Sequence, residues 1–146
     1  MEKYTLGREE IVFEDDQMCF VCGARNRAGF RLSFHPEPDG SLWTECVAPK
    51  KFQGFKNILH GGILATLLDE VMVNVVYLRG TVAVTAEMTV RLKRPVLVGE
   101  RLRIVGRVQR ESRRTVEVAS EARISSGVLV AEATALLVKK GVARPV

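Results

Sequence analysis

The sequence predicts an α+β domain in which an antiparallel β-sheet wraps around one long central helix. Three observations carry that expectation. Residues 61–78 repeat apolar side chains at helical spacing around most of the helix circumference. From Gly80 onward the hydrophobic period changes to two. The strands that follow are separated by short turn signals rather than by further helices. A chain of 146 residues fits a single domain, spanning 1–146, with residues 1–29 as a lead-in segment.

Each element has its own signal. Phe30, Leu32 and Phe34 alternate with Arg31, Ser33 and His35, the period of a first strand. Pro36-Glu37-Pro38-Asp39-Gly40 marks a turn, and residues 41–47 return as a second strand. Residues 49–59 read as a loop. The helix carries Ile63, Leu67, Val71 and Val75 on one row and Leu64, Leu68, Met72 and Val76 on the next. Rows that broad leave only a narrow polar stripe of Thr66, Asp69, Glu70 and Asn74, so most of the helix should be buried. Arg79-Gly80 closes it, with a cation near the C-terminus and a glycine free to leave helical space.

Four strands are then expected as a meander. The first places Val82, Val84, Ala86, Met88, Val90 and Leu92 on its apolar face. Further alternation runs over 101–108 and 115–124, and residues 128–138, the least polar run, suit a central position. Short turns demand antiparallel pairing. One helix cannot cover both itself and the sheet ends, which predicts a second subunit.

Composition narrows the function. No apolar stretch reaches the ~20 residues of a membrane span. The first residues, Met1-Glu2-Lys3-Tyr4, lack the apolar core of a secretion signal. A cytoplasmic, soluble domain without membrane partner is expected. The net charge of +5 favours anionic ligands. Much of the excess lies between Arg91 and Arg114, but no aromatic residue interleaves with it, so the stacking platform of a single-strand binder is missing. No nucleic-acid partner is expected.

Cys19, Cys22 and Cys46 are too few for a disulfide framework and fit a reducing compartment. Cys19-Phe20-Val21-Cys22-Gly23 has the spacing of a zinc knuckle. A closed zinc site takes four ligands, and only Cys46 and His35 offer to complete it. The reading is an ordinary turn, with no metal and no cofactor.

Candidate chemistry centres on the helix. His60-Gly61-Gly62 precedes it, and the glycines leave the first helical N–H groups open to a carbonyl or a developing oxyanion. Asp69 and Glu70 sit in an otherwise apolar helix, where an unpaired carboxylate is costly. Asp69 is therefore read as facing a cleft, where it can act as a general base, and Glu70 as reaching solvent or an arginine. Gly61 and Asp69 stand about 12 Å apart along the axis, too far for one carbonyl to touch both in a single chain. If both act, Asp69 comes from a neighbouring subunit across an antiparallel contact of the two helices.

Leu59-His60-Gly61-Gly62-Ile63-Leu64-Ala65-Thr66-Leu67-Leu68-Asp69-Glu70, with Thr85-Ala86-Glu87-Met88 and Arg94-Pro95-Val96-Leu97-Val98-Gly99-Glu100, resembles the hotdog-fold acyl-CoA thioesterases of the PaaI-like branch. Cys19-Phe20-Val21-Cys22-Gly23 with Asn26 and Gly29 is similar to the N-terminal signature of one subgroup. The resemblance implies hydrolysis of an acyl-CoA thioester, with the Gly61 N–H on the thioester oxygen and Asp69 of the facing subunit as base or nucleophile. It maps a helping strand hydroxyl onto Thr85. By its alternation with Val84 and Ala86, Thr85 points away from its own helix unless a bulge intervenes or a partner packs there. Relatives of this kind carry Asn six positions before the histidine, where this chain has Gly54, leaving Gln53 or Asn57 to take that part. His60 and Gly62 are expected to help position the substrate, with His60 orienting the loop rather than abstracting a proton. Arg94, Arg113 or Arg114 is expected to meet the CoA phosphates, since arginine offers bidentate phosphate contacts. The expected assembly is a homodimer or a dimer of dimers with active sites at the subunit interface.

A non-catalytic acyl-CoA-binding protein on the same fold is the alternative, and Asp69 separates the two, since a pure binder needs no carboxylate beside the thioester. A hydratase would want a histidine beside an acidic partner, and His35 lies in a strand far from the helix.

Overall fold

The computed structural model describes residues 4–6, 9–11 and 13–142. In the lead-in, Tyr4–Leu6 (β1) and Glu9–Ile11 (β2) form a small antiparallel pair. The domain proper contains His35–Pro36 (β3), Leu42–Val47 (β4), the helix Gly61–Tyr77 (α1), and four long strands. These are Thr81–Leu92 (β5), Arg101–Glu111 (β6), Thr115–Ile124 (β7) and Leu129–Val142 (β8). Among the described residues no helix is long and apolar enough to cross a membrane.

The sheet is antiparallel with strand order β3-β4-β6-β7-β8-β5, and α1 packs against one face of it. Leu67, Leu68, Val71 and Met72 are fully buried against Leu102, Ile104, Val118 and Leu137 of the strands. The two apolar rows of the helix are therefore core. Gly80, at φ 97°, releases the chain from the helix as expected.

Two expectations are corrected. Residues 30–34 are not a strand. The Phe30 and Leu32 N–H groups donate to the Phe20 and Val21 carbonyls at 3.0 Å, and Arg31 sits at φ 51°. The backbone groups a ladder would use are thus spent on the cysteine-bearing loop, and only His35 and Pro36 pair with β4.

The last four strands are also not a simple meander, because β5 pairs with β8 and not with β6. The connection over 93–100 is no hairpin. It runs past the loop before the helix, where the Leu59 N–H donates to the Val96 carbonyl and the Val98 N–H to the Asn57 carbonyl, both within 2.9 Å. Val96 is 1% exposed, so burial holds this crossing in place. β8 lies inside the sheet between β7 and β5, the position its low polarity anticipated. β5 is left as an edge strand.

Candidate active site

The first turn of α1 and the loop before it form one unit. The His60 N–H donates to the Phe52 carbonyl at 3.0 Å, and the His60 carbonyl accepts from Ile63 and Leu64. The His60 ring caps the helix, its Nδ1 accepting from the Gly62 N–H at 2.9 Å. A nitrogen committed in that way orients the turn. The Gly61 N–H has no acceptor among the described residues. It opens the helix beside Leu92, whose Cδ1 would lie 2.9 Å from any Cβ added at Gly61.

The second cluster is centred on Asp69. The Thr85 hydroxyl donates to Asp69 Oδ1 at 2.7 Å. Thr85 therefore faces its own helix, and the reason is the bulge that strict alternation could not include. The β5–β8 ladder pairs Thr85 with Leu137 and Glu87 with Leu136, leaving Ala86 as an extra residue. Before the bulge the odd positions Ala83 and Thr85 turn inward; after it Met88 and Val90 do. Asp69 and Thr85 are both half-buried, so one carboxylate oxygen is held while the group keeps a path to solvent.

Gln53 and Asn57 lie in the loop before His60. Gln53 Oε1 accepts from the Asn57 N–H at 3.0 Å, and Asn57 Oδ1 accepts from Lys50 Nζ at 2.9 Å. Asn57 is thereby turned to the surface, at φ 63°. Gln53 keeps an amide NH₂ with no partner among the described residues, one turn of loop from His60.

The arginines are divided between the two ends of the sheet. Arg94 follows β5 at the Gly61 end, its N–H on the Val130 carbonyl. Arg113 and Arg114 lie in the β6–β7 turn, where the Arg114 carbonyl accepts from the Lys139 N–H. Since Val138 pairs with both Thr115 and Val84, that turn sits at the C-terminal end of α1. One chain does not bring Arg94 together with the other two.

Glu70 is a residue whose place the sequence reading missed. Half-buried, it meets no arginine among the described residues. Its Oε1 lies 3.7 Å from the Cys19 thiol and accepts from Asn74 Nδ2 at 3.0 Å. Cys19, Cys22 and Glu70 each bring one ligand atom within 4.8 Å of the others. Neither Cys46 nor His35 joins them; His35 stacks on Trp43 with ring centroids 4.2 Å apart. Burial, with the Glu70 carboxylate beside it, pushes the Cys22 thiol well above the ordinary range. The Cys19–Cys22 spacing signalled two members of this cluster, and the i, i+4 spacing of Glu70 and Asn74 was the one local signal for the third. Met72 and Val76, at 0% and 3% exposure, are core residues.

Comparison with known proteins gives this arrangement a family. Residues 56–131 match the sequence model of the thioesterase superfamily. A comparison with curated proteins finds no match. Among solved structures, the fold is similar to a thioesterase superfamily protein with 25% identity and a TM-score of 0.78, covering 84% of this chain and 60% of that one. The chain thus spans three-fifths of that relative's length. It is similar to the phenylacetic acid degradation protein PaaI of Thermus thermophilus, with 26% identity, a TM-score of 0.67, and 73% and 91% of the two chains covered. A Streptococcus pneumoniae thioesterase protein with coenzyme A shares the fold at 21% identity and a TM-score of 0.73, covering 77% and 88%. Variants of that protein replace by alanine an aspartate and a threonine with the same spacing as Asp69 and Thr85. A helix held by a six-stranded antiparallel sheet, together with a family match over just over half its length, places this chain in the thioesterase superfamily, with a hotdog fold similar to that of PaaI.

Proposed function

We propose that the protein is an acyl-CoA thioesterase that works as a dimer, hydrolysing the thioester to a free acid and CoA. The observation that carries this reading is the Thr85–Asp69 hydrogen bond at 2.7 Å. It fixes one carboxylate oxygen and leaves the other for a water molecule. Asp69 takes a proton from that water as its oxygen attacks the thioester carbon. The charge that develops on the carbonyl oxygen is met by the Gly61 N–H at the positive end of α1. Collapse of the tetrahedral intermediate breaks the carbon–sulfur bond, and the departing CoA sulfur takes up the proton. Gln53, through its amide NH₂, is the better placed of the two loop residues to supply a second donor where Gly54 offers none.

Because Gly61 and Asp69 are about 12 Å apart along one helix, each site draws on two chains. The edge strand β5 supports that assembly. It has twelve residues and an unpaired side, an open template for a second copy. Val47, Phe55, Leu92 and Leu97 are exposed apolar residues around the Gly61 end, with Phe55 87% exposed. Covering them with a partner and an acyl chain would remove that cost. An antiparallel pair of helices also brings Arg94 of one chain to the end that carries the partner subunit's Arg113 and Arg114, a cationic rim suited to CoA phosphates.

The test is a panel of acyl-CoAs with free thiol release as the readout. Cleavage is expected, and Asp69→Asn should lower kcat by about 10²–10⁴ with the dimer intact. Acyl-CoA binding without cleavage by the parent chain would assign the protein to the binding class instead.

A further inference from the structure

We propose that Cys19, Cys22 and Glu70 form a metal site that takes one zinc-class divalent ion and fastens the lead-in segment to the central helix. This inference does not depend on the thioesterase reading, because Glu70 turns towards the lead-in while its neighbour Asp69 turns towards β5.

The geometry is close to what the ion requires. With Zn–S near 2.3 Å and Zn–O near 2.1 Å, two ligands of a tetrahedral zinc stand about 3.6–3.8 Å apart. Cys19 Sγ and Glu70 Oε1 are already 3.7 Å apart, and all three donor atoms lie within 4.8 Å of one another. Rotation of a half-buried thiol closes the remainder. The residues also choose the metal. Two thiolates exclude calcium and magnesium, and a carboxylate beside them suits zinc better than copper(I).

The outer partners are those a ligand set uses. The Val21 N–H donates to Cys19 Sγ at 3.4 Å, and Asn74 Nδ2 holds Glu70 Oε1 at 3.0 Å. Gly23 lets the loop close. A Cβ there would meet the Cys19 backbone and the Gln17 carbonyl at 2.5 Å. Three protein donors leave one coordination position for water. The clip joins residues 51 positions apart.

The experiment uses the full chain, purified with reductant, stripped with a chelator and titrated with Co(II) and Zn(II). One ion per chain is expected, with a thiolate-to-Co(II) charge-transfer band, tetrahedral visible absorption, and displacement of Co(II) by Zn(II). Cys22→Ser should abolish the band and Cys46→Ser should keep it. Asn74→Ala, which spares all three ligands, should weaken Co(II) binding about 10- to 100-fold. It also serves if the cysteine variant fails to fold. Absence of the band in the reduced parent chain, a band that survives in Cys22→Ser, or a Cys19–Cys22 disulfide that persists under reductant would each overturn the proposal.

Discussion

Thr85 shows how much one hydroxyl decides. Its donation to Asp69 at 2.7 Å selects the orientation of the carboxylate, and a hydrogen bond to a charged group is worth about 1.5–3 kcal/mol. Thr85→Val keeps the shape and loses the donor. It should lower kcat roughly 10- to 100-fold with little change in KM, and Thr85→Ser should recover most of the loss. His60 is separable from the chemistry in the same way. Its Nδ1 caps Gly62. His60→Ala should cost about 1 kcal/mol of stability in a denaturant titration, and His60→Asn, which restores a capping oxygen, should return it. A complete loss of turnover in His60→Asn would instead make His60 the proton acceptor. Cys46 lies within β4, where burial pushes its thiol up to about 11, only partly offset by Arg101. A raised value keeps the thiol protonated through neutral pH. Alkylation of Cys46 should therefore be slow near pH 8 and rise as pH approaches 11, as read by mass spectrometry of the labelled chain.

At the scale of elements, the helix was legible because its two apolar rows are a local pattern that burial then confirms. The strands after it were legible for the same reason. The facing of Thr85 was not, since a single extra residue at Ala86 reverses the parity of half a strand, and period-two reading has no means of locating it. The partner of Glu70 was equally hidden, because contact with Cys19 spans 51 positions and depends on the lead-in folding back. Close packing between elements leaves a sharper mark. Gly106 of β6 passes so near α1 that an added Cβ would stand 2.8 Å from the Val71 carbonyl oxygen. Neither backbone can yield cheaply. Gly106→Ala should destabilise the fold by about 1–3 kcal/mol in chemical denaturation, although alanine has the better strand propensity.

At the scale of the whole molecule, the helix holds Gly61 and Asp69, the two groups of the proposed reaction, about 12 Å apart without joining them. The pairing of β5 with β8 could not be read from the sequence, because the crossing over 93–100 is as short as a hairpin loop and owes its course to distant contacts at Leu59 and Asn57. Yet that crossing is what frees the β5 edge for a second copy, so the assembly can be tested through the site itself. Gly61→Pro removes the helix-opening N–H and adds a ring whose Cβ meets the end of the flexible Leu92 side chain, which can turn aside. Proline is favoured at the first helical position, and His60, at φ −59° and ψ 131°, already has the backbone that precedes a proline. By itself this variant should lose about 10²–10³ in kcat. Mixed with Asp69→Asn chains and allowed to exchange subunits, it should regain roughly a quarter of the parental activity, because each hybrid dimer pairs an intact Gly61 from one chain with an intact Asp69 from the other. If each site lay within one chain, both chains of the hybrid would be defective and mixing would restore nothing.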